Sequence, residues 1–110
     1  MKKGNAFRKG DIIIVSFPFS DFPGEKRRPA LVIGCSKEHV IVAFVTSKKT
    51  DAHWLVPIPA SNKTGLLVPS YVRCDKLLAI DIAITEGGIG TVRETILRAV
   101  DAKLRRLLSL

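Results

Sequence analysis

The chain has 110 residues, which is enough for one domain with a modest core and too few for two. Its 46% hydrophobic and 25% charged residues are typical of a globular protein, and no segment approaches the ~18 apolar residues of a membrane span. The balance of 18 Lys and Arg against 10 Asp and Glu gives a net charge of +8, which favours a polyanionic partner such as nucleic acid or an acidic protein. Because no signal-peptide cleavage site follows the basic N-terminus, we expect a single cytoplasmic domain over residues 1–110, without a membrane partner.

The first half of the chain predicts three strands. Residues 12–17 form a β-branched run that predicts the first strand, and a loop follows over 19–26. Residues 29–35 and 39–45 predict two further strands, which are separated by a short polar turn. The short turn indicates that the second and third strands form a hairpin.

The second half predicts short strands and one helix. Residues 54–58 are extended, and Pro57 and Pro59 place that strand at a sheet edge. After a turn over 61–65, short strands run from Ser70 through Ile84, and the glycine-rich residues 86–90 end the β region. Apolar residues spaced by four predict an amphipathic helix over 92–108, with Thr91 and Glu94 as a capping box.

This pattern predicts a mainly β (α+β) fold. Many short strands joined by tight turns favour a small, strongly bent antiparallel sheet or barrel, with the C-terminal amphipathic helix packed on it.

Polar residues stand where the predicted strands begin and end. Arg28 enters the second strand directly before Pro29, and a planar guanidinium fixed there suits a phosphate or carboxylate. Thr46 and Ser47 end the third strand. If the two strands form a hairpin, Arg28 and Thr46 lie at the same open end, where a cation and a hydroxyl together could bind a phosphate.

Each of these residues also has a purely structural interpretation. Arg28 could be a solvated loop charge, and Thr46 and Ser47 could bond backbone groups where the strand ends. Arg73 and Asp75 lie on one face of a later strand and could form a surface ion pair worth ~0–1 kcal/mol.

Other kinds of site lack their sequence signatures. His53 lies in the basic segment 48–53, but no cluster of His, Cys and carboxylate residues has metal-ligand spacing. No glycine-rich phosphate loop and no Ser-His-Asp arrangement is present. The residues alone therefore predict a basic β domain that binds an anion and uses no metal or cofactor.

Several segments in a fixed order resemble the MazF/PemK-like toxin endoribonucleases. They are Gly-Asp-Ile-Ile-Ile-Val-Ser-Phe at 10–17, Arg-Pro-Ala-Leu-Val-Ile at 28–33, Val-Thr-Ser at 45–47, Gly-Leu at 65–66, Ser-Tyr-Val-Arg-Cys-Asp-Lys at 70–76 and Ile-Asp at 80–81. The resemblance implies an SH3-like β-barrel with a C-terminal helix that works as a homodimer. It also implies a metal-independent ribonuclease that cuts single-stranded RNA and is neutralised by an acidic antitoxin protein.

The resemblance also implies roles for particular residues. Arg28 and Thr46 match the catalytic arginine and threonine of the MazF-like branch, and Arg73 with Asp75 matches the Arg-x-Asp pair of the Kid-like branch. The Kid-like histidine before the Arg-Pro motif is absent, since residues 21–28 contain none. The expected RNA contacts are Arg27, Ser47, Lys48, Lys49, Arg73 and His53.

Chemical reasoning gives the three catalytic candidates different tasks. Arg28 suits stabilisation of a charged phosphorane and is the candidate for that role or for the acid. It is poorly suited to be the base, because its proton is not removed in proteins. Thr46 can orient the phosphate, and Asp75 is the candidate base or an RNA contact, with Glu25 or His53 as substitutes for the base.

Two other functions remain open. A gyrase-poisoning toxin of the CcdB type has a similar fold and no catalysis, but it depends on a tryptophan near the C-terminal end, whereas Trp54 lies mid-chain. A non-catalytic RNA-binding barrel would keep the fold and lose the chemistry. The basic face of the helix could be a simple solvated surface, and we predict that the exposed apolar and basic surfaces of the helix also receive an acidic amphipathic antitoxin segment.

Overall fold

A computed structural model describes residues 7–17, 26–49 and 52–110, and these residues form one antiparallel sheet and one long helix. The strands lie in the spatial order β4-β5-β3-β2-β1-β6, so the sheet has β4 and β6 as its edges and is not closed. The elements are β1 (Asp11–Phe17), β2 (Lys26–Cys35), β3 (His39–Thr46), β4 (Leu55–Ile58), β5 (Ser70–Asp81), β6 (Thr85–Thr91) and α1 (Glu94–Leu108). The predicted fold class, mainly β with a C-terminal helix, is confirmed.

β2 and β3 form the predicted antiparallel hairpin. Ala30 pairs with Phe44 and Cys35 pairs with Val40, so the open end of the hairpin lies beyond Ala30. Shifts of register between Val32 and Gly34 in this hairpin, and in the neighbouring pairing of β3 with β5, bend the strands.

Side-chain alternation divides the buried residues between two cores. Ile12 and Leu31 belong to the core beneath α1, to which the helix contributes Val100 and Leu104. Their strand neighbours, such as Ile13, belong to the core on the other face of the sheet. The predicted amphipathic helix therefore packs through its apolar stripe, and no helix among the described residues could span a membrane.

Three details differ from the sequence-based expectations. Residues 70–81 form one long strand, not several short ones, and residues 85–91 form an edge strand paired with β1, although 86–90 were expected to end the β region. The capping box is wrong: Arg93 is the N-cap of α1 and makes no side-chain capping bond. Thr91 still belongs to β6, and its hydroxyl donates to the carbonyl oxygen of Gly10 at 3.1 Å, which ties β6 to the start of β1.

Candidate active site

A cleft of about 790 Å³ lies at the open end of the β2–β3 hairpin. It brings together Arg28 and Thr46, the two residues that the hairpin was expected to juxtapose. The other described residues that line it are Ile14, Arg27, Pro29, Val45, Ser47, Lys48, Gly65, Leu66, Leu67, Val68, Ser70 and Ile89. The cleft therefore combines cations and hydroxyls with a largely apolar lining.

The first two strands fix Arg27 and Arg28. Arg27 pairs with Ser16 across β1 and β2, and Arg28 pairs with Val15. Because neighbouring residues of a strand point to opposite faces, the two side chains leave β2 on opposite sides. Arg28 is half-buried, and within the described ranges no hydrogen bond or ion pair engages its guanidinium group. Its charge therefore remains available to a ligand in the cleft.

Thr46 is the last residue of β3 and is also half-buried. Its Oγ1 accepts a hydrogen bond from the backbone N–H of Lys48 at 3.1 Å, which is the structural role weighed for this residue. The same bond fixes the hydroxyl at the cleft. The two roles are therefore compatible, because a hydroxyl accepts through a lone pair and can still donate its proton.

One wall of the cleft is the segment from Gly65 to Val68. Gly65 has a φ of 74°, and a Cβ there would lie 2.1 Å from the carbonyl oxygen of Ile89. Only glycine allows this close backbone approach to β6. The contact holds Leu66 in the core and leaves Leu67 at the cleft mouth with 96% of its surface exposed.

Arg73 and Asp75 lie on one face of β5, as expected, and form a two-bond ion pair. Arg73 Nε donates to Asp75 Oδ1 at 3.2 Å, and its terminal nitrogen donates to Oδ2 at 3.0 Å. The hydrogen bonds from Arg73 hold the pKa of Asp75 below its ordinary value, although partial burial opposes them. Neither residue lines the cleft.

The other predicted RNA contacts divide between the cleft and its surroundings. Ser47 and Lys48 line the cleft, whereas Lys49 and His53 are exposed and do not. The backbone carbonyl oxygen of His53 accepts a hydrogen bond from Lys103 Nζ at 2.7 Å. The His53 ring packs edge-on against the Trp54 ring, with 4.6 Å between the ring centroids. Glu25, a substitute candidate for the base, lies outside the described residues.

Two polar residues near the cleft have no counterpart in the sequence analysis. Glu86 on β6 forms an ion pair with Arg27 Nε at 2.9 Å and accepts a hydrogen bond from the Ser16 hydroxyl. Ser16 and Glu86 are 70 positions apart, and Glu86 begins a glycine-rich run. No local sequence pattern connects Ser16 with Glu86. Only a prediction that β6 is a strand paired with β1 would have placed the two residues side by side.

The described titratable side chains around the cleft do not cluster in a metal-binding manner. Over the ranges that the structure describes, no group of three or more His, Cys, Asp and Glu residues is placed to hold a metal ion. The cleft can instead bind an anion through arginine and lysine, orient it through hydroxyl groups and accept apolar or aromatic groups on its floor.

Comparison with known proteins gives a consistent result. The family model described as PemK-like, MazF-like toxin of type II toxin-antitoxin system matches residues 8–108. A search of curated protein sequences gives no match.

Solved structures with the same fold cover nearly the whole chain. A Mycobacterium tuberculosis toxin, MazF-mt6, is 25% identical with a TM-score of 0.75, over 91% of this chain and 97% of that one. MazE-MazF from Deinococcus radiodurans is 24% identical with a TM-score of 0.77, over 93% and 95% of the two chains. An endoribonuclease in complex with its cognate antitoxin, from a mycobacterial species, is 15% identical with a TM-score of 0.75, over 93% and 94%.

Proposed function

The chain belongs to the PemK-like, MazF-like toxin family of type II toxin–antitoxin systems, and we propose that it is a metal-independent endoribonuclease that cuts single-stranded RNA. The observation that carries the proposal is the cleft at the open end of the β2–β3 hairpin, where Arg28 and Thr46 lie together. Cleavage of messenger RNA would inhibit translation and growth.

The composition of the cleft supports RNA as the substrate. Arg27, Arg28 and Lys48 provide three cations along the path of a phosphate backbone, and the net charge of +8 attracts a polyanion from a distance. Exposed apolar side chains such as Leu67 and Ile89 offer surfaces for unstacked bases, which only single-stranded RNA presents freely.

The proposed reaction is an attack of the 2′-OH on the neighbouring phosphorus. The new bond joins O2′ to phosphorus, the P–O5′ bond breaks, and the products carry a cyclic phosphate and a free 5′-OH. A base takes the 2′-OH proton, and an acid gives a proton to the leaving oxygen. Arg28 stabilises the charge that develops on the phosphorane or serves as the acid, and Thr46 orients a phosphate oxygen.

The ion pair with Arg73 bears on the role proposed for Asp75. A carboxylate whose pKa is lowered is a weaker base near neutral pH, and Asp75 does not line the cleft. We therefore propose that Asp75 is neither the base nor itself an RNA contact, and that it positions Arg73, which contacts RNA beside the cleft. Lys49 and His53 are proposed to contact RNA beyond the cleft.

We further propose that this single cytoplasmic domain acts as a homodimer and is neutralised by an acidic antitoxin. The end of α1 supports the second partner, because Leu108 and Leu110 are exposed beside Arg105 and Arg106. An acidic amphipathic segment matches both the charge and the apolar surface. A cognate acidic antitoxin should co-purify with the protein and block cleavage. An antitoxin that does not bind, or that binds without blocking cleavage, would refute this part of the proposal.

Cleavage of a long single-stranded RNA by the purified protein in EDTA tests the proposed activity. We expect discrete fragments from the wild type and at least about a hundredfold less cleavage from Arg28→Ala. Arg98→Ala is the control, since Arg98 lies on the exposed face of α1, and it should cleave as the wild type does.

Intact RNA with all three proteins would refute the activity. RNA binding without cleavage would then favour the non-catalytic barrel, and inhibition of gyrase would favour a toxin of the CcdB type.

A further inference from the structure

Three strands of the sheet place one polar side chain each in a row beside the cleft. Ser16 on β1 pairs directly with Arg27 on β2, and Glu86 follows Thr85, which pairs with Val15 on the other side of β1. The Glu86 carboxylate bonds both other members of the row, one through each oxygen. We call Ser16, Arg27 and Glu86 the cross-strand triad.

The triad holds Arg27 by one edge of its guanidinium group. Glu86 takes the Nε position, and among the described residues the two terminal nitrogens of Arg27 meet no acceptor. Arg27 is 64% exposed along its side chain and lines the cleft. An arginine tethered at Nε can still form two parallel hydrogen bonds to a phosphate through its terminal nitrogens, and the tether removes part of the ordering cost.

We propose that Arg27 is a second phosphate-binding position of the cleft, separate from Arg28, and that Glu86 and Ser16 are positioning residues that act through Arg27. The proposal rests on RNA being the ligand of the cleft. Arg27 and Arg28 both line the cleft, but their side chains leave β2 in diverging directions, so each engages its own phosphate. Arg28 acts on the scissile phosphate, and Arg27 holds a neighbouring phosphate of the same strand.

Two considerations predict the effect of changing Glu86. Its negative charge opposes RNA binding, whereas its grip on Arg27 favours it. Glu86→Asp separates the two, since the charge stays while the shorter side chain no longer spans from Ser16 to Arg27. Weaker binding by Glu86→Asp would therefore report the lost geometry and not a change of charge.

The experiment measures binding of a single-stranded RNA that is 2′-O-methylated at every position and so cannot be cleaved. We expect Arg27→Ala to raise the Kd about 3–10-fold, and to reduce the slope of log K against log salt by about 0.7, the value for one lost phosphate contact with a single strand. Glu86→Asp should raise the Kd about threefold in the wild type and leave it unchanged in Arg27→Ala, because its effect passes through Arg27.

The helix offers a matched control, because Arg98 and Glu94 form a similar exposed ion pair on α1 away from the cleft. Arg98→Ala and Glu94→Asp should leave the Kd within about twofold of the wild-type value and the salt slope unchanged. With cleavable RNA, Arg27→Ala should lower kcat/KM mainly through KM, whereas Arg28→Ala should lower kcat.

An unchanged Kd and salt slope in Arg27→Ala would overturn the proposal. Tighter binding by Glu86→Asp, or an equal loss in the Arg27→Ala background, would overturn the positioning role. If Arg27→Ala binds the methylated RNA less well than the wild type does, but long RNA is never cut, the phosphate-binding role of Arg27 is supported and the nuclease activity is refuted. If long RNA is cut and Arg27→Ala binds as the wild type does, the nuclease activity is supported and the role of Arg27 is refuted.

Discussion

Arg28 on β2 and Arg73 on β5 are both half-buried arginines in the sheet, yet their surroundings differ. Arg73 is engaged by Asp75 through two hydrogen bonds and lies outside the cleft. Arg28 lines the cleft and makes no ion pair with any residue that the structure describes. An arginine in this sheet is therefore a candidate for catalysis because of the groups around its guanidinium, and not because of its position along a strand.

Truncating each arginine in turn is the strongest test of this contrast. Arg28→Ala should lower kcat by about 10²–10³-fold, as expected for one lost stabiliser of transition-state charge, and leave the melting temperature unchanged. Arg73→Ala should lower the melting temperature by about 2–5 °C, because it leaves Asp75 without its partner, and should affect kcat much less. Equal losses of kcat in the two variants would contradict the distinction.

Distorting the wall of the cleft tests whether cleavage depends on the surroundings of Arg28 as well as on Arg28 itself. Gly65→Ala places a Cβ against Ile89 at a positive φ and should cost at least about 2 kcal/mol in the free energy of unfolding. Cleavage should fall even at temperatures where the variant is folded, while the Arg73–Asp75 pair is untouched.

Gly34→Ala is the control for this change, since nothing lies within 4 Å of a Cβ at Gly34. It should leave the stability unchanged or raise it by about 0.5–1 kcal/mol. A Gly65→Ala variant as stable and active as the wild type would show that the wall can shift without harm.

Substitutions of Thr46 sharpen the contrast within the cleft itself. Thr46→Ala should lower kcat about tenfold, because both the orienting hydroxyl and the bond from the Lys48 N–H are lost. Thr46→Ser keeps the hydroxyl and should restore most of the activity. Equal losses in both variants would point to the methyl group and away from the hydroxyl.

Asp75→Asn should have the smallest effect and tests its role. If Asp75 anchors Arg73, KM should rise about threefold with little change in kcat, whereas loss of a general base would lower kcat by about 10²-fold or more. Because the folded pKa of Asp75 is lowered, its contribution to stability is present above the ordinary carboxyl pKa and is lost as the pH falls through the folded value. The melting temperatures of the variant and the wild type should therefore differ near pH 7 and converge in strong acid.

The sequence allowed prediction of those parts of the site that follow from local pattern. The apolar runs and the polar turn between them identified the hairpin, and the hairpin alone places Arg28 near Thr46. The same alternation placed Arg73 and Asp75 on one face. It could not show that Asp75 binds Arg73 instead of facing the cleft, because that depends on the bend of the sheet.

Long-range contacts explain what the sequence did not predict. The run around Gly88 has the composition of a loop, yet it forms β6 because β1 supplies a partner strand far away in the chain. Glycine is needed there for packing: a Cβ at Gly90 would lie 2.3 Å from the carbonyl oxygen of Lys63. Glu86 thus reaches Ser16 and Arg27 only through a pairing that no local pattern encodes.

The open sheet has a consequence for association between molecules, because an unpaired strand edge is a template for another strand. At β4 the edge is interrupted by Pro57, which is exposed and has no N–H to donate. At β6 the backbone of Lys63 accepts a hydrogen bond from the Thr91 N–H and partly covers that edge. Both edges of the sheet are thereby protected against edge-to-edge aggregation. A small protein can therefore keep an open sheet with a cleft at one end.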